Sequence, residues 1–494
     1  MGLDSKHVAL LVLLLAAVIA MVIALILSLV KRDDISLPPG MKYGMVFDAG
    51  SSHTSLFVYQ WPTDKENDTG VVSQTHVCDV QGPGISSYAN NPPAAGQSLV
   101  PCLEEAMSII PPERQRGTPA YLGATAGMRL LNLANKDASD KVLVEVSKTI
   151  SSYPIDFRGA RIITGNEEGS YGWITINYLL ESFMKFSFSG RWVRPGTSKI
   201  YGALDLGGAS TQISFVPKVQ IADAAEKADF KLYGFSYSIY THSFLCYGQN
   251  QALLQALVHA VKEKDLSQPV GFPCYPRGYQ STMALGSLFS SPCTASSAPT
   301  SSLNQNVTIS GTGNATQCQD LIRTIFNFSA CDGKNSCSFA GVYQPPVAGN
   351  FFAFSAFFYT FHFLNMTSGQ NVQAVRDTVS AYCARDWAEL LTSYPQEKKD
   401  RLRDYCGSAN YILTLLLDAY KFTADSWNSI TFVKQAAETD IGWTLGYMLN
   451  LTNMIPSEVP TTIKAQNYGV WVTTVFFIVL TLVLVLLMFL LYFR

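Results

Sequence analysis

The chain has 494 residues, with 35 Lys and Arg against 37 Asp and Glu, for a formal net charge of −2. That balance offers no basic field for nucleic acid, so no nucleic-acid partner is expected. Charged residues make up 15% of the chain, below the roughly 25% usual in soluble domains.

In chain order, the first element is Val8–Val30, which carries no charged side chain; Val470–Phe493 at the other end carries none either. Each run can cross a hydrocarbon core of about 30 Å as a helix. Trp471 and Tyr492 sit at the ends of the second run, where amphipathic rings favour the interface. A cleaved signal peptide is the competing reading of the first run, but its apolar stretch exceeds the usual length and no small-x-small cleavage site follows. Two spans place both termini on one side. Local charge does not settle which side, because Lys6 and Arg494 are opposed by Lys31-Arg32.

The segment between the spans decides it. Six glycosylation acceptors lie there, at Asn67, Asn306, Asn314, Asn327, Asn365 and Asn450. All 10 cysteines lie there too. An even cysteine count beside sequons reads as an oxidised, secretory-pathway domain, and no Cys-x-x-Cys pair or His spacing supports zinc. The expected protein is a two-pass plasma-membrane protein with an extracellular ectodomain and both termini cytoplasmic. Its partners include the lipid bilayer, and a homo-oligomer through the transmembrane helices is compatible with two spans. Glycans would supply the solubility that the low charge does not.

After a short stalk at Pro38-Pro39-Gly40, one pattern appears twice. The first copy is Met45-Val46-Phe47-Asp48-Ala49-Gly50-Ser51-Ser52-His53-Thr54-Ser55-Leu56-Phe57-Val58. The second runs from Gly202 to Val216 through Leu204-Asp205-Leu206-Gly207-Gly208-Ala209-Ser210-Thr211-Gln212. Each reads as an apolar strand, an Asp at its end, a Gly/Ser turn and a second strand. Such a turn leaves backbone N–H groups to wrap phosphate oxygens, and the Asp can hold a divalent cation directly or through water. One copy is ordinary hairpin chemistry; two with the same order suggest two related α/β lobes gripping a polyphosphate from both sides. The length between the spans also exceeds one core.

Between and after the repeats, Asp137–Ile150 and Gln249–Lys264 show helical periodicity and Ser170–Phe186 reads as a buried helix. Residues 294–317, rich in Ser, Thr and Asn, read as an exposed loop. Phe351–Leu364 and Asp404–Tyr420 read as helices. Tyr121–Arg129 is a strand-to-turn element whose small residues allow close approach to a ligand. Ile163–Gly172 places Glu167 and Glu168 at a helix start, where helix-dipole stabilisation alone would account for one of them. Trp173 and Trp443 read as packing residues.

Five of these segments together resemble the conserved regions of the ecto-nucleoside triphosphate diphosphohydrolases (apyrases): DAGSSHT at 48–54, GATAGMR at 123–129, GNEEGSYGWITINYLL at 165–180, LDLGGASTQ at 204–212 and FFAFSAFFYTFHFL at 351–364. The two spans and ten cysteines are similar to the cell-surface subgroup. The resemblance implies two RNase H-like lobes of the actin, hexokinase and Hsp70 superfamily, an α/β fold flanked by two transmembrane helices. The expected organisation is a span at 8–30, lobe I at 36–166 completed by about 437–465, lobe II at 167–436, and a span at 470–493.

The chemistry this implies is hydrolysis of nucleoside tri- and diphosphates. Phosphoryl transfer needs charge neutralisation, alignment and a positioned nucleophile. Ca2+ or Mg2+ would sit between Asp48 and Asp205. The turn of Gly50, Ser51, Ser52 and His53 would bind one phosphate, and that of Gly207, Gly208 and Ala209 the other. By resemblance, Glu168 is the general base, Ser210 and Gln212 hold the attacking water, and Thr125 lies beside the terminal phosphate. Also by resemblance, Tyr359 and Tyr405 stack on the nucleobase with Arg401 nearby; the aromatic run around Tyr359 is equally readable as plain core. Cysteine order alone does not give pairing. The family implies Cys78–Cys102, Cys246–Cys293, Cys274–Cys318, Cys331–Cys337 and Cys383–Cys406, of which Cys331–Cys337 is also the local choice. The alternatives are a kinase-like or receptor ectodomain of the same superfamily. A kinase needs an acceptor site, and a receptor needs a missing base or metal Asp; neither is seen.

Overall fold

The computed structural model describes residues 5–30, 33–36, 40–186, 192–195, 199–262, 264–300, 303–455 and 462–493. Pro38 and Pro39 of the stalk, and Lys31, Arg32 and Arg494, lie outside these. The chain forms two units, Met1–Gly40 with Ser457–Arg494, and Met41–Pro456.

In the first unit, helices Ser5–Ser28 and Tyr468–Phe493 are long and apolar enough to cross a membrane. They pack on each other, burying Ala17, Ala20 and Ala24 from one and Thr474 from the other. Small side chains let helix backbones approach closely. Strand Asp33–Ser36 pairs antiparallel with Thr462–Ala465. Residues 462–465, expected to complete lobe I, therefore belong to this unit. The Gln466 amide donates to the Leu27 and Ser28 carbonyls in the last turn of the first helix, at 3.0 and 3.2 Å.

The second unit holds two mixed sheets. Lobe I contains β1 (Met41–Ala49), β2 (Thr54–Pro62), β3 (Ser73–Val80), β4 (Pro119–Ala124) and β5 (Asp156–Ile162), in the order β3-β2-β1-β4-β5. Lobe II contains β6 (Gly202–Leu206), β7 (Ser210–Phe215), β8 (Lys227–Leu232), β9 (Phe235–Leu245), β10 (Phe351–Ser355) and β11 (Ile430–Phe432), in the order β8-β9-β7-β6-β10-β11. Without the extra edge strand β8, the two orders are the same. In each lobe the repeated hairpin is antiparallel, and its first strand pairs on the other side with a parallel strand, β4 or β10. The sequence repeat is thus a repeat of RNase H-like topology. Met45, Val46 and Phe47 of β1, and Leu204 of β6, are buried, as central strands covered on both faces require.

Five helices frame the site: α1 (Ala126–Ala134) after β4, α2 (Gly165–Leu179) after β5, α3 (Ala356–Phe363) after β10, α4 (Lys399–Thr414), and α5 (Trp443–Thr452). The helix α5 packs on α2, where Gly446 N–H donates to Thr175 Oγ1 at 2.9 Å, and Met448 fills the space above Gly44 of β1. Five disulfides join Cys78–Cys102, Cys246–Cys293, Cys274–Cys318, Cys331–Cys337 and Cys383–Cys406.

Three local expectations change. The Ser/Thr/Asn-rich stretch 294–317 contains strand Asn306–Gly311, paired on both sides. Val307 and Ile309 point inward while polar neighbours point out, an alternation that the polar composition hides. Phe351–Leu364 is a strand and then a helix, because its first residues fill the slot between β6 and β11. Asp404–Tyr420 is not one α-helix: α4 gives way to a π turn at Leu415–Ala419.

Candidate active site

The Asp of each hairpin is the second-last residue of its first strand. Asp48 lies opposite Gly123 of β4, and Asp205 opposite Phe354 of β10. The two turns face each other closely: a Cβ on Gly208 would come within 2.8 Å of Ser51 Oγ. Behind the first turn, a Cβ on Gly127 would come within 2.7 Å of the Ser51 Cα, so the small residue admits the Gly50–His53 turn.

The backbone donors differ between turns. Among the described residues, the N–H groups of Ser51, Ser52 and His53 have no backbone acceptor, nor do those of Gly208 and Ala209. Gly207 departs from the expected phosphate-binding set. Its N–H closes the turn onto the Ser210 carbonyl at 3.0 Å and is already used.

The two acids of 165–172 divide their roles. Glu167 is the third residue of a capping box with Thr164, and Arg161 holds both its oxygens at 2.9 Å. It is fully occupied as a helix cap. Glu168, one residue on, turns inward and is 8% exposed. Burial pushes its carboxyl up to about 8, against the Arg129 guanidinium that lowers it, and the charges of Asp205 and Asp48 raise it further. Burial likewise lifts Asp48 to about 7 and Asp205 to about 6, with Asp205 adding repulsion at Asp48. Three carboxyls therefore converge, Asp205 disfavouring charge at Asp48 and both disfavouring it at Glu168.

Around Glu168, the Gln212 amide nitrogen lies 3.1 Å from Glu168 Oε2, 2.8 Å from Ser210 Oγ and 2.9 Å from Ser243 Oγ. Arg129 pairs with Glu168 and reaches Ser210 and Ser243, both at 3.4 Å. Arg129 and Ser243 carried no role in the sequence reading. Arg129 was visible inside the GATAGMR segment, whereas Ser243 lies mid-strand in β9 with no motif around it. Thr125 is 5% exposed at the junction of β4 and α1.

Trp443 is more than the packing residue expected. Its indole lies against Gly123, and its N–H lowers the Asp48 carboxyl. Even so, Asp48 Oδ1 and Trp443 Nε1 are both buried without a completed hydrogen bond. Among the described residues no group of three His, Cys, Asp or Glu side chains is close enough to hold a metal directly. Two carboxylates, an orphan oxygen and an orphan N–H suit a hydrated divalent cation held through water. Trp173 is buried in the core.

In the expected base site, Tyr359 on α3 is 52% exposed. Tyr405 on α4 is 7% exposed and stacks on Phe363, with ring centres 3.9 Å apart and planes 5° from parallel. One face of Tyr405 is thus already covered. Arg401, one turn earlier, pairs with Glu397 at 3.6 Å. Of the sequon asparagines, Asn67, Asn306, Asn314, Asn327 and Asn365 are exposed. Asn450 lies inside α5, on the side facing Tyr171, whose raised phenol it lowers.

A family model described as the GDA1/CD39 (nucleoside phosphatase) family matches residues 35–465. The chain belongs to that family. It is 51% identical over 482 residues to ectonucleoside triphosphate diphosphohydrolase 8 of Bos taurus, covering 98% of this chain and 97% of that protein. The Homo sapiens protein of the same name is 52% identical, covering 98% and 97%. Among solved structures, one titled as nucleoside triphosphate hydrolases from Neospora caninum superposes with a TM-score of 0.59 at 15% identity, covering 86% of this chain and 94% of that one. That likeness concerns the fold.

Proposed function

We propose that this chain hydrolyses nucleoside tri- and diphosphates to the monophosphate and phosphate at the outer face of the plasma membrane. The observation that carries the reading is the convergence of Glu168, Asp48 and Asp205 between two facing phosphate-type turns. The relatives named for nucleoside triphosphate diphosphohydrolase activity support it over nearly the whole chain.

In this reading the free amides of Ser51, Ser52 and His53 take one phosphate, and those of Gly208 and Ala209 take the next. Asp48 and Asp205 would hold Ca2+ or Mg2+ through water. When bound, the cation neutralises phosphate charge and lowers the raised carboxyl pKa values, so Glu168 becomes ionised. Glu168 then accepts the proton of the attacking water as the new P–O bond forms and the bridging P–O bond breaks. Ser210 and Gln212 orient that water, with Thr125 beside the terminal phosphate. Tyr359 stacks on the nucleobase, with Tyr405 and Arg401 closing the base site. Hydrolysis, not transfer to another acceptor, fits because the only nucleophile the base needs is water.

The two apolar helices would hold the catalytic unit outside the cell, with both termini cytoplasmic and glycans at the sequons. A surface enzyme of this kind would clear extracellular ATP and so limit purinergic signalling. The test is phosphate release from ATP and ADP by the full chain in detergent. Activity should vanish in chelator and return with Ca2+ or Mg2+. Full activity in excess chelator would end the two-Asp cation reading.

A further inference from the structure

Gln212 stands in the middle of a row that crosses the lobe II sheet. It lies opposite Asp205 of β6 on one side and opposite Ser243 of β9 on the other. Residues directly opposite in antiparallel strands share a face of the sheet. The helix α2 lies flush on that face because it carries glycine where it touches. A Cβ on Gly165 would come within 2.2 Å of the Ser243 Cβ, and one on Gly169 within 3.2 Å of the Gln212 Cβ. Two residues along the same register, the Ser214 and Thr241 hydroxyls meet at 2.7 Å. The glycines on either side of Glu167 and Glu168 thus set this helix directly against a row of polar side chains.

The neighbours of Gln212 fix which way its amide points. The amide nitrogen has three oxygens around it: Glu168 Oε2 at 3.1 Å, Ser210 Oγ at 2.8 Å and Ser243 Oγ at 2.9 Å. An ionised carboxylate only accepts, so the NH2 end must face Glu168. The two serines hold that end from other directions, and the Arg129 guanidinium reaches each of their hydroxyls at 3.4 Å. With the nitrogen committed, the amide oxygen is left over. Gln212 is 1% exposed, and its Oε1 is buried without a hydrogen-bond partner. Native proteins rarely leave a buried acceptor unpaired, and one beside a general base is placed to receive a donor that arrives with the substrate. An attacking water brings two protons. Glu168 takes one, and Gln212 Oε1 is the acceptor for the other.

We propose that Ser243 is a positioning residue: it accepts from the Gln212 amide nitrogen across the β7–β9 pair and so keeps Oε1 turned to the attacking water. The water donates one hydrogen bond to Oε1 and gives its other proton to Glu168. Its oxygen lone pair forms the new P–O bond as the bridging P–O bond breaks. Ser243 acts through Gln212 and not on the reacting atoms. This rests on the reading of Gln212 as the residue that orients the water.

The test is a double-mutant cycle in the full chain in detergent, with Ser243→Ala, Gln212→Ala and the two together. The readouts are kcat per folded molecule, KM for ATP and melting temperature. Ser243→Ala should lower kcat about 5- to 10-fold, the loss of one neutral hydrogen bond that sets the amide, with KM changed less than about twofold. Gln212→Ala should lower kcat further than that. In the Gln212→Ala background, Ser243→Ala should remove nothing more, since the amide that it positions is gone. An equal loss in both backgrounds would mean that Ser243 acts independently of Gln212, and it overturns the positioning role. A Ser243→Ala enzyme that melts lower but keeps the wild-type kcat, while Gln212→Ala loses activity, overturns it too. If Gln212→Ala itself keeps the wild-type kcat, the water-orienting reading fails and takes the proposal with it.

Discussion

Lobe I and lobe II present the same device at different levels of rigidity. The lobe I turn, Gly50–His53, leaves its amides open, and Ser52 and His53 are exposed. The lobe II turn is tied from within by Gly207 N–H to Ser210 O and from behind by Gln249 and Asn250 N–H, which donate to the Gly207 and Gly208 carbonyls at 2.9 Å each. The carboxylates differ in the same sense. Asp205 is eased by the Ser355 hydroxyl and the Leu206 amide and rises only to about 6. Asp48 has a neutral indole on one side and the Asp205 charge on the other, and rises to about 7. In the proposed mechanism, the duplicated fold would thus set an open phosphate clamp against a braced catalytic wall. Lobe II holds Ser210 and Gln212 and faces Glu168, whose chemistry needs fixed geometry.

The largest break in this arrangement is Glu168→Gln. The amide keeps the shape and loses the proton acceptor, so kcat should fall about 10²–10⁴-fold while nucleotide binding persists. Glu167→Gln should instead lower the melting temperature with little loss of kcat per folded molecule, because Glu167 caps α2. A Glu168→Gln enzyme with near-normal kcat would return the role to another group.

The base site sharpens the contrast, since it belongs to α3 and α4 on the lobe II side. Tyr359→Ala should cost about 1–3 kcal/mol of nucleotide binding, seen in KM for ATP and UTP alike. Inorganic tripolyphosphate should be hydrolysed as before. Equal losses for ATP and tripolyphosphate would make Tyr359 a structural residue. Tyr405 is the poorer probe, because its ring also packs on Phe363 and its loss would leave a cavity.

What the sequence disclosed follows the same division. The Asp-Gly hairpins were legible twice because a phosphate turn needs small residues in a fixed order beside an acid. Glu168 was legible from its motif, yet its separation from Glu167 needed the helix phase and the Arg161 pairing. Trp443 packs in the core as expected, but its place over Gly123 and beside Asp48 follows from the pairing of β1 with β4, which no local pattern shows. Ser243 was invisible because contacts across a sheet leave no local pattern. The strand at 306–311 was hidden by its polar outward face, and the strand at 351–355 by the aromatic helix that continues it.

Trp443→Phe tests the lobe I carboxylate alone. It keeps an aromatic ring at this position and removes the N–H that lowers Asp48, so the half-saturating cation concentration should rise about 5-fold near neutral pH. The pH profile gives the sign. Raised carboxyl pKa values favour the folded, cation-free protein most where the groups are protonated. That contribution is present below their unfolded pKa, near 4, and is lost as pH rises through about 6 for Asp205, 7 for Asp48 and 8 for Glu168. Cation binding displaces those protons, so it should tighten over the same window, by about tenfold per pH unit for each proton released. The Trp443→Phe defect should shrink at the alkaline end, where Asp48 is ionised without help. A defect equal at all pH values would mean that Trp443 acts by packing.

The smallest effect belongs to the bracing behind lobe II. The Thr211 hydroxyl donates to the Asp205 carbonyl at 2.7 Å and lies 3.0 Å from the Tyr420 hydroxyl. Tyr420 follows the π turn; Ser338 donates to the Ala419 carbonyl at 3.0 Å and Gln344 to the Tyr420 carbonyl at 2.9 Å. Such turns interrupt a helix at a cost and recur near functional sites. Here the interruption brings a buried tyrosine to Thr211 of β7, beside the strand that carries Asp205. Tyr420→Phe removes one neutral hydrogen bond and keeps the ring. Its cost should be about 1 kcal/mol of stability, with at most a few-fold rise in the cation requirement, since Thr211 still holds the Asp205 backbone. Adding Thr211→Val should cost less than the sum of the two single changes, because each single change already removes the shared Thr211–Tyr420 hydrogen bond. Strict additivity in melting temperature and in cation affinity would show that the two hydroxyls do not act as one brace. Lobe II would then owe its rigidity to the tied Gly207–Ser210 turn.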